Sequence, residues 1–363
     1  MARHDTDSFG TEAEWSWTWW PECDGIGAYT ARGENVHVPL RPVEMATVTT
    51  LIDNSCDALL PDGRLVRRWG LAGGGGPLPV APSDMSVEAT TLDVLRAEHG
   101  FSAMVDIDID GYRRRILFDA GASTDGLIGN LDRLGMRPDT IEAIVLSHGH
   151  FDHVTGLHGL VRRLGQPSMP VLLHPDGWRR RRISGPGGML DLPTPSRAAI
   201  EGAGFTVIEQ RRPSLMLDGF LLITGEVKRT TDFETGMTGH QACLDGEWGP
   251  DESIDDDQAA VFHIRGKGLV ILTGCGHAGI INIIRHAREV TGVNQLYAVL
   301  GGLHLRFGPV VDRTIDELVV EAPDLVLPAH CTSWSAQQTL ATRLPNAFVP
   351  NAVGSACILS ATH

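Results

Sequence analysis

Apolar positions along the chain fall mostly into short runs of strand length. EMATVTTLIDN at 44–54 alternates and ends in an apolar pair, which predicts a strand. FSAMVDIDID and YRRRILFDAG, over 101–121, predict two strands joined at Asp110-Gly111, a hairpin signal. IEAIVLS at 141–147 and MPVLLH at 169–174 read as buried strands. FTVIEQ, GFLLITGEV, QAAVFHIRGKGLVILTGCG, LYAVLGGLHL and DLVLPAHC continue the series. Helical spacing is confined to LIGNLDRLG at 127–135 and to stretches near 279–291 and 312–321. Strands first, then strands mixed with helices, predict an α/β (α+β layered) chain with sheet packed on sheet and helices outside.

Two segments break this pattern. Residues 1–43 hold Trp15, Trp17, Trp19 and Trp20 without a clear period. They read as an arm laid over a domain spanning 44–363, with a lid or a contact to a second subunit as the sharper alternatives. Gly and Pro crowd WGLAGGGGPLPVAPS at 69–83, within an insertion at about 60–90 that is either flexible or an active-site flap.

The chain has 363 residues and a formal charge of −15, which argues against broad phosphate-driven nucleic-acid binding. No stretch approaches the ~18–20 apolar residues that span a bilayer, and the N-terminus lacks a signal-peptide core. A cytoplasmic protein is expected. Six cysteines without a C-x-x-C pair suggest free thiols and not a disulfide framework. The basic run RRRR at 179–182 reads as a solvated loop or as a landing site for an anionic substrate.

The chemistry concentrates in LSHGHFDHVTGL at 146–157. Side chains alternate along an extended chain, so His148 and His150 point the same way, and Gly149 lets the backbone bend. Asp152 and His153 then face a second position. Three imidazoles and a carboxylate in six residues form a metal site, since both are favoured ligands of zinc, iron and manganese. His158 reads as exposed. Further ligands are expected at other strand ends: His277 with Cys275 in the turn before a helix, His304 after two glycines, and His330 beside Cys331. His263 reads as structural. One of Asp255, Asp256 and Asp257 is a candidate to bind or orient a ligand. His99 is a candidate for substrate contact or proton transfer, or a packed turn residue.

The H-x-H-x-D-H pattern after a buried strand resembles the metallo-β-lactamase superfamily. LIDN, AEHGFS, TGCGHAGI, GGLHL and PAHCT resemble its 7,8-dihydropterin-6-yl-methyl-4-(β-D-ribofuranosyl)aminobenzene 5′-phosphate synthase-like subgroup, over roughly residues 44–335. The resemblance implies an αββα sandwich with two divalent metal ions at one edge, zinc ahead of iron or manganese. It implies that Asp119 supports the metal loop from behind the ligands, and that Cys275 stands where many members carry a bridging aspartate. The expected sets are His148, His150 and His277 for one ion, and Asp152, His153 and His330 or His304 for the other, with Asp152 also orienting a bridging nucleophile. The expected activity is hydrolysis of an ester-like bond in a small anionic substrate, with phosphoester or cyclic phosphate ahead of lactone, thioester or amide. The alternatives are a pterin-pathway synthase acting on a phosphorylated intermediate, a di-iron redox enzyme, or a non-catalytic metal-binding protein.

Overall fold

The structure, a computed structural model, describes residues 37–362 apart from 77 and 186, and ahead of them only the backbone of Thr30–Ala31 and Glu34–Asn35. The tryptophan-rich arm, with its lid and subunit-contact readings, lies outside the described residues. Two sheets face one another. The first has eight strands in the order Thr206–Glu209, Pro170–Leu173, Ala143–Val145, Tyr112–Phe118, Ser102–Ile109, Met45–Ile52, Ser355–Ser360 and Val66–Arg68. The second runs Ser214–Met216, Leu221–Ile223, Ala260–Ile264, Gly268–Thr273, Leu296–Gly302 and Leu325–Ala329. Pro42–Val43 pairs in parallel with Ala260–Ile264, so the second sheet begins ahead of residue 44.

Between the sheets lies a core to which both contribute, with Val105, Ile116 and Phe118 on one side and Phe262, Val270 and Leu300 on the other. The outer face of the second sheet is covered by helices Ile280–Thr291, Pro309–Glu321 and Trp334–Arg343, whose Ile284, Ile315 and Leu340 are fully buried. The first sheet is covered by Gly126–Arg133, Leu157–Leu164 and Arg197–Gly202 through Leu131, Leu160 and Ile200. Burial of each such aliphatic side chain contributes about 1.5–3 kcal/mol. The layers are therefore helix, sheet, sheet, helix, as expected.

The Asp110-Gly111 hairpin forms as predicted. Both turn residues have positive φ (51° and 83°), the twist-matched geometry that joins antiparallel strands in two residues. Tyr112–Phe118, Ala143–Val145 and Pro170–Leu173 are mutually parallel, as are Gly268–Thr273, Leu296–Gly302 and Leu325–Ala329. Parallel strands bring their carboxyl ends to one edge, where side chains from separate parts of the chain can converge.

The basic run is not a solvated loop, and of its four residues Arg180 is exposed. It lies in the strand Arg180–Gly185 of a four-stranded sheet with Gly188–Asp191, His240–Leu244 and Glu247–Pro250. Arg181 turns inward, 3 % exposed, onto Asp251 (2.7 Å) and Asp256 (2.5 Å). Arg179 pairs with Asp176 at 2.8 Å, and Arg182 lies over the Trp248 ring at 4.1 Å. The segment 69–83 is largely turns, and its Val80–Pro82 pairs with Thr90–Leu92. Among the described residues no helix is long and apolar enough to cross a membrane.

Candidate metal centre

The buried strand Ala143–Val145 delivers Leu146 and Ser147 to the sheet edge, where Asp119 takes hold of the chain. Asp119 ends the neighbouring strand with a left-handed backbone (φ 58°), a conformation that costs free energy in a non-glycine residue and clusters at functional sites. Its carboxylate accepts from Ser147 N and Ser147 Oγ, both at 2.7 Å, and from His153 Nδ1 at 2.7 Å. Ser147 Oγ in turn lies 2.9 Å from His148 Nδ1. One carboxylate thus fixes two imidazoles by the ring nitrogen facing away from the site, the supporting role expected for it.

Gly149 sits between the first two histidines, and a Cβ there would overlap the Gly177 carbonyl oxygen. Its N–H donates to Asp256 Oδ2 at 2.8 Å, and Asp256 is held by Arg181. The short helix Phe151–Val154 then turns Asp152 and His153 inward. Gly274 is equally constrained, since a Cβ there would overlap Ser147 Oγ and the Asp119 carboxylate.

Four overlapping groups of donor atoms lie close enough to share a cation: His148, His150 and His277; His148, His153 and Cys275; His99, Asp152 and His330; and Cys275, His304 and Cys331. His148 Nε2 faces His150 Nδ1 at 2.9 Å, and His277 joins them, with ligand atoms of all three within 4.8 Å of one another. On the other side Asp152 Oδ2 lies 3.3 Å from His330 Nε2 and 3.9 Å from His153 Nε2. Cys275 lies between them, buried, its Sγ 3.3 Å from His153 Nε2. It therefore stands among the donors. His304 parts from His330: it packs beside His277, ring centroids 4.4 Å apart, and its ligand atom groups with Cys275 and Cys331.

The residues fit cations. His150 Nε2 and both ring nitrogens of His277 and His304 are buried with no hydrogen-bond partner among the described residues. A buried imidazole left unpaired costs about 1–3 kcal/mol, and ligation of one of its nitrogens offsets that cost. Burial holds His148 and His277 well below the ordinary histidine range and His150 down at about 3, so all three are neutral, as ligation requires. Burial also opposes the charge on His153, but Asp119 and Asp152 outweigh it and raise its pKa to about 9. For Asp152, burial is outweighed by His153 and His330, which hold the carboxyl well below its usual range.

His99 is exposed, its Nε2 3.9 Å from Asp152 Oδ2, so it faces the site and is not a packed turn residue. His158 is exposed and His263 half-buried within a strand. Of the acidic trio, Asp256 orients Gly149, and Asp257 accepts from Ala278 N at 2.9 Å in the His277 turn. Burial pushes the Asp257 carboxyl up to about 7. Asp255 pairs with Arg229 at 3.6 Å.

Three contributors were given no role from the sequence, although Asp53 and Asn54 lie in the LIDN segment. Asp53 accepts from His330 N at 2.7 Å, and Asn54 Oδ1 lies 3.3 Å from His330 Nδ1. His240, from the four-stranded sheet, brings its ring to 5.8 Å from that of His150. Burial lowers its pKa to about 4. A cavity of about 750 Å³ has His99, His330, His304, Arg306 and Trp334 in its wall and none of the described residues of 69–83.

A model of the metallo-beta-lactamase superfamily matches residues 102–281. The chain is 29% identical over 247 residues to 7,8-dihydropterin-6-methyl-4-(beta-D-ribofuranosyl)-aminobenzene-5'-phosphate synthase of Methanocaldococcus jannaschii, a match covering 66% of this chain and 83% of that protein. It is 31% identical over 271 residues to an uncharacterised protein of the same organism, covering 74% of this chain and 96% of the relative. The crystal structure of a metal-dependent hydrolase of the β-lactamase superfamily superposes with a TM-score of 0.63 at 20% identity, over 87% of this chain and 99% of that one, and shares the fold. The chain belongs to the metallo-β-lactamase superfamily.

Proposed function

We propose that this protein is a metal-dependent hydrolase that holds two divalent cations and cleaves an ester-like bond, a phosphoester first. The observation that carries the reading is the convergence of His148, His150 and His277 on one side with Asp152 and His330 on the other, His153 reaching both Asp152 and Cys275. Two such ions, when bound, supply a nucleophilic water at neutral pH and polarise the scissile oxygen.

The chain's own residues do the rest. Asp119 and Ser147 hold His153 and His148 by Nδ1, which leaves Nε2 of each ring facing the site. Asp152, next to the cavity-lining His99 and His330, orients the attacking water by accepting its hydrogen bond. His99, exposed at the cavity mouth, suits exchange of a proton with the leaving group. With the 179–182 run engaged in the fold, preference for an anionic substrate rests on Arg306, exposed on the cavity wall with no carboxylate partner among the described residues.

A second reading is a pterin-pathway synthase acting on a phosphorylated intermediate. The name of the Methanocaldococcus relative favours it, as does Trp334, 73% exposed on the cavity wall and open to stacking by a ring. The test is turnover of chromogenic phosphodiester, lactone and β-lactam substrates by protein loaded in turn with zinc, iron and manganese. Phosphodiester cleavage that requires the cation and is lost in Asp152→Ala is expected. No hydrolysis of any of the three with any metal would move the reading to the synthase.

A further inference from the structure

We propose that Cys275, His304 and Cys331 form a third, thiolate-rich cation site on the wall of the cavity, sharing the Cys275 sulfur with the two-cation centre. Their ligand atoms all lie within 4.8 Å of one another. Tetrahedral bonds of about 2.3 Å to sulfur and 2.0 Å to nitrogen set donors about 3.5–3.8 Å apart, so side-chain adjustments of about 1 Å complete the set. Among the described residues His304 groups with the two sulfurs and not with Asp152 and His330.

An independent feature points to a ligand here. Both ring nitrogens of His304 are shielded from solvent and lack a hydrogen-bond partner among the described residues. His304 also has a left-handed backbone (φ 49°), held by the fold at a cost. Its own N–H is directed to Cys331 Sγ at 3.3 Å, and Cys331 Sγ lies 3.3 Å from the Cys275 carbonyl oxygen. The two glycines ahead of it make the room: a Cβ on Gly302 would crowd Cys331 Sγ and overlap the Gly274 carbonyl oxygen. Strain, an orphaned imidazole and two converging sulfurs together describe an unfinished coordination sphere.

The donor set selects the cation. Two thiolates and one imidazole favour zinc over magnesium, calcium or manganese. The sulfurs ligate as thiolates, so binding of the cation is coupled to loss of thiol protons to solvent. His304 and Cys331 both line the cavity, which leaves the fourth position open toward substrate, the pattern of a reactive and not a structural site.

Anaerobic titration of reduced, metal-free protein with cobalt(II), read by sulfur-to-cobalt charge-transfer absorption and by bound equivalents, tests this. The expected result is three equivalents, with absorption from two thiolates. Cys331→Ser and His304→Ala each bind one equivalent fewer, and Cys331→Ser loses roughly half of the absorption. His150→Ala loses an equivalent but keeps the absorption. Two equivalents in the wild type falling to one in Cys331→Ser would uphold the thiolate site and count against the cation pair. Unchanged equivalents and absorption in Cys331→Ser would overturn the proposal. So would wild-type absorption no greater than one thiolate gives, an outcome that stands even where a variant does not fold.

Discussion

Replacing Arg181 with Met separates a structural basic run from a substrate-binding one. The guanidinium is buried between Asp251 and Asp256, and the Asp256 carboxylate is fully enclosed. Asp251 keeps a partner in Arg179 at 3.5 Å. Asp256 keeps only the Gly149 N–H. The variant therefore leaves one buried charge uncompensated, which costs about 3–5 kcal/mol. In the native protein Arg181 outweighs burial and holds Asp256 below its usual pKa, so its contribution to stability is full at pH 7 and is lost only as pH falls through that depressed value. Without Arg181, burial is opposed only weakly, by the Gly149 N–H and nearby His150, and the Asp256 pKa rises above its unfolded value. The deficit of the variant then grows with pH from about 4 upward. Urea unfolding followed by circular dichroism at pH 5 and pH 7 measures both effects. Adding Asp256→Asn removes the uncompensated charge and recovers part of the loss. A deficit under about 1 kcal/mol at pH 7, with a raised KM for anionic substrates instead, would refute the structural assignment.

Two further outcomes follow from the centre. Asp119→Asn removes the charged acceptor behind His153, and should weaken cation affinity about 10–100-fold, read by competition with a chromophoric chelator. Arg306→Ala should raise KM for an anionic substrate by roughly three- to tenfold with little change in kcat, since the side chain is exposed on the cavity wall and is not one of the donors.

Much of this was legible in the sequence, for identifiable reasons. Short apolar runs bounded by turn residues gave the strands, and Asp110-Gly111 carried its own geometry. His148, His150, Asp152 and His153 are fixed relative to one another by one strand end and one helical turn, so local reasoning sufficed. The choice between His304 and His330 could not be made that way. Both follow a buried strand, and both have φ near 50°. Only the positions of their strands in the sheet decide that His330 meets Asp152 while His304 meets the cysteines. The basic run was misread because in-and-out alternation along a strand needs contrast, and four identical residues offer none. His240 gave no warning, since a lone histidine on a short strand looks the same whether it faces solvent or His150. Asp53 and Asn54 act on His330 from the end of a distant strand, a relation that exists only in the folded sheet.

Cation content tests the central claim most directly. Wild type, His150→Ala and His330→Ala are each dialysed against buffered zinc and their bound metal counted by mass spectrometry. His150 and His330 belong to different donor sets. Each variant should therefore hold one zinc fewer than the wild type, and both should lose phosphodiester cleavage. Wild-type zinc content in both variants would contradict the account.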